Sequence, residues 1–182
     1  MNVVGLSSDG PALVVKEVMG FLVRSGHILL GRRLSGRATG TISGFGGRLL
    51  DCETAEAGLV REVEEECGVR CLSARYLAFL KIITVDDNLR TLDMHAAKIF
   101  WCSEYEGALV SSSEMQPFWC KIDDIPYGEM WDSDIHWLPL AMLGHLCTVR
   151  IVRDLATNKA LSSLVIAEDF DAQLSSILSS TN

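Results

Sequence analysis

The alternation of apolar and polar positions divides the chain into strand-like runs on either side of one amphipathic helix. Residues 12–23 carry the β-branched and apolar enrichment of a buried strand; residues 24–27, Arg-Ser-Gly-His, read as a hairpin turn, and residues 28–32 as the returning strand. A helix is predicted over residues 54–67, where Leu59, Val60, Val63 and Cys67 form an apolar stripe. Residues 73–85 and 91–101 form a second hairpin around the turn at 86–88, and residues 118–122 a short strand after a loop at 104–113. Asp123 or Asp124 is placed to cap a following helix. Farther on, Leu161, Leu164, Val165, Phe170, Leu174, Ile177 and Leu178 suggest a helical apolar face, so one or two helices are expected to pack back on the domain. Strands before and after a helix predict a mixed α/β domain over residues 12–150, with a flexible leader at 1–11 and a helical extension at 151–182.

At 182 residues, 48% hydrophobic and 22% charged, the chain suits one globular domain rather than a disordered one. Its net charge of -8 argues against a groove for nucleic-acid polymers, and a polyphosphate would need cations to offset that field. The six cysteines lack zinc-knuckle spacing and read as reduced thiols. There is no apolar run of about 20 residues, as a membrane span requires, and the start lacks a signal-peptide pattern; a cytoplasmic location is expected.

The chemistry concentrates on the predicted helix. Advancing about 100° per residue places Glu62, Glu65 and Glu66 within an arc of about 100° on one side. Like charges so placed destabilise a helix, which a solvated face tolerates but a divalent cation reverses. Oxygen ligands at this spacing suit a hard cation, Mg2+ or Mn2+. Before the helix, residues 43–47, Ser-Gly-Phe-Gly-Gly, form a turn whose glycines permit close backbone approach to a ligand or metal. Arg32, Arg33 and Arg37 sit in or beside a polar loop that leads toward it and are candidates to meet phosphate. His27 is expected in a turn and His95 in a sheet, neither with catalytic duty.

The run Gly47, Glu53, Arg61-Glu62-Val63, Glu65-Glu66, Gly68-Val69 resembles the signature box of the Nudix hydrolases at every defining position. The resemblance implies an α/β/α sandwich with a mixed central sheet, and hydrolysis of a nucleoside triphosphate to monophosphate and pyrophosphate. It implies that Glu62, Glu65 and Glu66 bind metal with the Gly46 carbonyl, that Arg61 holds Glu53 by an ion pair, and that the base is Glu66, Glu53 or Glu114. A second informative stretch, residues 128–139, holds Trp131, Trp137 and an acidic pair. An indole can stack on a purine while a carboxylate bonds to its edge; for Trp137, filling core is an equal alternative. Residues 113–117, 125–126 and 130–139 resemble the oxidised-purine triphosphatases of the same family, over residues 20–150. This implies that Trp131 stacks on the base and Asp134 reads it. Ser133 stands where those enzymes carry a second aspartate, Ser43 where they carry asparagine, Ile42 where they carry tryptophan, and Arg37 where they carry phenylalanine. Oxidised purine nucleotides are thus the expected substrates, with a pterin triphosphate or an ordinary dNTP as alternatives. A non-catalytic nucleotide-binding module would be expected to have lost metal carboxylates, and all are present here. The expected partner is a small nucleotide, with neither nucleic-acid polymer nor membrane; the sequence gives no oligomeric state.

Overall fold

The computed structural model describes residues 13–36 and 38–169. Among them, nine strands form one mixed sheet: β1 (Val15–Arg24), β2 (His27–Arg33), β3 (Ile42–Ser43), β4 (Phe45–Arg48), β5 (Val69–Val85), β6 (Thr91–Gly107), β7 (Met115–Lys121), β8 (His145–Asp154) and β9 (Ala160–Asp169). Their order is β3-β2-β1-β6-β5-β8-β9, with β4 branching from β1 and β7 from β2. β1 runs parallel to β6, and β5 to β8; the other pairs are antiparallel.

The period of two along these strands makes the layers. Phe21, Val23, Ile28 and Leu30 face one core with Trp137, Leu138 and Ala141 of α2 (Asp134–Met142). Their neighbours Val18, Leu22 and Leu29 face a second core with Leu59, Val63 and Cys67 of α1 (Ala55–Cys67). A helix on each face gives the α/β/α sandwich that the sequence predicts. Close docking of α1 depends on Gly20, where a Cβ would lie 2.6 Å from Leu59 Cδ1.

The bounds of α1 follow from its ends. Thr54 Oγ1 accepts a hydrogen bond from the Ala57 N–H at 3.2 Å, and Gly68 closes the helix at φ 77°, its N–H donating to Glu64 O. These are a side-chain N-cap and a left-handed glycine C-cap.

Three local expectations are corrected. Residues 160–169, where the spacing of Leu161, Leu164 and Val165 predicts a helix, form strand β9, in register with β8 through Val149↔Val165 and Ile151↔Ser163. Leu161, Leu164 and Ile166 are more than half exposed, and Val165 packs against the core. Edge pairing with β8 therefore overrides the apparent helical spacing. The loop expected at 104–113 begins later, because β6 continues to Gly107. Asp123 and Asp124 lie in a single 3-10 turn, Ile122–Asp124, without a side-chain cap; the next α-helix starts at Asp134. The leader at 1–11, Arg37, and Phe170, Leu174, Ile177 and Leu178 lie outside the described residues.

His95 sits in a sheet as expected, whereas His27, expected in the hairpin turn, is a strand residue because the turn narrows to Ser25 and Gly26. His27 opens β2, its Nδ1 3.0 Å from Ser25 O, and His95 in β6 lies between Asp93 and Glu17. Among the described residues, no helix is long and apolar enough to cross a membrane.

Candidate active site

Helix α1 presents its acidic edge to β4, and Arg61 organises it. Arg61 donates from Nε and Nη2 to the two oxygens of Glu53, both at 2.9 Å, and from Nη1 to Glu62 at 2.8 Å and Glu65 at 3.2 Å. Nη2 also donates to Arg48 O. The paired guanidinium, with the Leu50 N–H, holds the Glu53 carboxyl down at about 2, while Glu53 in turn raises Arg61.

Glu66 lies one helical turn on from Glu62 and faces inward. Its side chain is buried, its Oε2 accepts from the Gly46 N–H at 2.7 Å, and its Oε1 is 3.9 Å from Arg33 Nη2. Burial pushes this carboxyl up to about 7 against the opposing pull of the Gly46 N–H and Arg33; Glu62 and Glu114 add to the rise. Glu114 is exposed at the entry to β7, and its carbonyl accepts from the Leu34 N–H.

Two glycines of β4 permit close packing, Gly46 against β1 and Gly47 against the helix. A Cβ on Gly46 would meet the Val18 carbonyl oxygen at 2.0 Å, and one on Gly47 would fall 2.6 Å from the Glu62 carboxylate. Among the described residues, no three His, Cys, Asp or Glu side chains gather as a ready metal cluster; Glu62 and Glu65 pair with Arg61, and Glu66 accepts from the Gly46 N–H. The donors nevertheless fit a hard cation: they are all oxygens, mutually repelling, and one is a buried carboxylate whose charged form burial disfavours.

On the far side of β4, a cavity of about 520 Å³ opens over the face covered by α2. Arg33, Gly46 and Gly47 line it, as do Trp131, Ser133 and Asp134. The β4 glycines thus form the partition between the carboxylate helix and this cavity. Asp134 stands in the first turn of α2, deeply buried, and accepts a hydrogen bond from Trp137 Nε1 at 3.1 Å. Burial pushes Asp134 up to about 7, against the pull of that indole N–H and of Arg153. Trp137 fills core edge-on to Phe21 while fixing Asp134. Trp131 is partly exposed, and the Arg153 guanidinium lies 4.8 Å from its ring centre. The Asp132 carboxylate accepts from the Ala160 N–H at 2.8 Å, tying the Trp131 loop to the start of β9.

Ser43 is buried, its hydroxyl donating to Gly44 O at 2.9 Å, and it does not line the cavity. Arg32 pairs with Glu129 and donates to Gly40 O. Glu17 and Arg153 line the cavity without any motif to announce them; they reach it from β1 and β8, which only the sheet brings together.

The α/β/α sandwich sets the carboxylate helix beside a glycine strand, with the cavity on the other side of that strand. The NUDIX domain model matches residues 15–141. Two proteins named oxidized purine nucleoside triphosphate hydrolase are similar. That of Danio rerio is 36% identical over 121 residues, covering 66% of this chain and 75% of its own length. That of Mus musculus is 32% identical over 116 residues, covering 64% and 72%. Among solved structures, the mutator MutT protein from Bacillus halodurans shares the fold with a TM-score of 0.71 at 18% identity, over 82% of this chain and 95% of that one. The chain belongs to the Nudix family. It is a pyrophosphohydrolase of that family, whose members generally use divalent metal ions.

Proposed function

We propose that this enzyme hydrolyses oxidised purine nucleoside triphosphates to monophosphate and pyrophosphate, clearing them from the nucleotide pool. The observation that carries the reading is the shared wall: Gly46 and Gly47 touch both the carboxylate helix and the cavity that holds Trp131 and Asp134. A nucleotide with its base in the cavity would bring its phosphates to the Arg33 and Gly46 end. The names of the two relatives support the purine, and Trp131 offers an indole face beside the Asp134 carboxyl.

Glu62, Glu65 and Glu66, with the Gly46 carbonyl, would hold Mg2+ or Mn2+, which when bound neutralises phosphate charge and acidifies water. Arg33, which lines the cavity with its Nη2 3.9 Å from Glu66, would donate to a phosphate oxygen. Arg61 keeps Glu53 ionised with both its oxygens engaged, so Glu53 is a poor proton acceptor and serves to position the helix. Glu66 and Glu114 remain as candidates to take the proton from water.

A second reading, the same chemistry on a pterin triphosphate or an ordinary dNTP, is favoured by Ser133 and Ser43. Ser133 brings a hydroxyl to the cavity, and Ser43 is engaged elsewhere.

The test of the chemistry is product analysis with 8-oxo-dGTP and Mg2+. Equal amounts of monophosphate and pyrophosphate, abolished by chelator and strongly reduced in Glu66→Gln, are expected. Release of orthophosphate, or turnover insensitive to chelator, would contradict the reading.

A further inference from the structure

Of the three arginines that line the cavity, Arg33 and Arg153 each have a buried Nε without a hydrogen-bond partner among the described residues. Arg33 lies beside Glu66, where the phosphates are placed. Arg153 lies elsewhere on the wall, on β8, with its guanidinium over the Trp131 ring at 4.8 Å and the charges of Asp132, Asp134 and Glu17 around it. A guanidinium so enclosed keeps its positive charge while an N–H goes unused, and a buried unmade donor is costly. A planar group that enters the cavity beside Trp131 and presents an acceptor meets this guanidinium on the wall it shares with the indole.

Resting on the proposed reading of the cavity as the base site, we infer that Arg153 is a specificity-determining residue that donates to a ring carbonyl of the substrate base. Asp134 and Arg153 then form an acceptor and a donor on the same wall. A base carrying a carbonyl meets the guanidinium; one carrying an exocyclic amine in its place leaves the donor unmatched and sets like against like. Ser133 brings only a hydroxyl to this wall, so discrimination shifts onto the cation from β8.

Arg153→Met removes the donor at similar length, and Arg153→Lys keeps the charge but loses the planar fork. The experiment compares kcat/KM for dGTP and 8-oxo-dGTP with that for dATP in wild type and both variants. In parallel, calorimetry measures binding of 8-oxo-dGMP, dGMP and dAMP. Arg153→Met is expected to lower kcat/KM and affinity for the oxo-purines by about 10- to 100-fold while dATP and dAMP change less than about 3-fold, with Arg153→Lys in between. Equal losses for all bases, as a merely structural cation would give, or no loss, would overturn the inference. A wild type that binds the monophosphates but hydrolyses nothing would sink the proposed reaction alone, and the binding ratios would still decide Arg153. A wild type that binds none of them overturns both.

Discussion

Arg61 grips Glu53 with two parallel 2.9 Å hydrogen bonds, and the third nitrogen of the same guanidinium reaches Glu62. One side chain thereby ties the loop before α1 to the acidic edge of the helix. Lysine offers a single ammonium and cannot make the paired contact. Arg61→Lys is expected to lower the unfolding temperature by several degrees, and Mg2+ to narrow that gap by supplying positive charge among Glu62 and Glu65. Thermal unfolding with and without Mg2+ checks this; an unchanged midpoint would show that the fork is dispensable.

The same contact sets an acid limit. Because the Glu53 carboxyl is held down to about 2, its contribution to stability is present above the ordinary carboxylate range near about 4 and is lost as pH falls through about 2. Glu53→Gln is expected to flatten that part of the stability curve. The comparison is denaturant unfolding of both proteins between pH 5 and the acid transition.

The two β4 glycines separate folding from activity. Alanine at Gly46 would meet backbone, the Val18 carbonyl at 2.0 Å, and is expected to cost about 3 kcal/mol. Alanine at Gly47 would meet the end of the Glu62 side chain rather than backbone, so that variant should fold nearly normally yet lose activity about 100-fold as the carboxylate shifts. Circular dichroism melts and turnover on both variants test the split.

Asp134 gives a pH dependence of opposite sign. Its folded value, about 7, lies above that of an ordinary aspartate, so the native state binds more protons between about 4 and 7. Its contribution to stability therefore falls as pH rises through that window. Asp134→Asn can still accept from the Trp137 indole, and should melt several degrees higher than wild type at pH 8 and close to it at pH 4. A uniform offset at both pH values would contradict the burial argument.

The carboxylate helix was legible because its information is local: Thr54, Gly68 and the spacing of Glu62, Glu65 and Glu66 all lie within one helix and its caps. The Arg61–Glu53 pair came from family resemblance, and the geometry contains it. Arg153 and Glu17 were not legible, since a lone arginine on β8 and a lone glutamate on β1 become neighbours only through the order β1-β6-β5-β8. The helical expectation at 161–165 failed for a related reason. β9 lies at one end of that strand order and places leucines on its exposed surface, so hydrophobicity there has no clean period, and pairing with β8 decides the conformation. Ser43 was selected by its place in the motif, but its hydroxyl turns to Gly44 O, which spacing cannot show.

The most direct measurement is the ratio of kcat/KM for 8-oxo-dGTP to that for dGTP with Mg2+, followed by pyrophosphate release, with 2-hydroxy-dATP, dATP and a pterin triphosphate alongside. The two guanine substrates share the phosphates and the 6-oxo group and differ at the imidazole edge, so the ratio isolates recognition of the oxidised base from the chemistry on the phosphates. A preference of about 10-fold or more for 8-oxo-dGTP is expected; a ratio near one, or a clear preference for the pterin triphosphate, would contradict the oxidised-purine role while leaving the hydrolase intact.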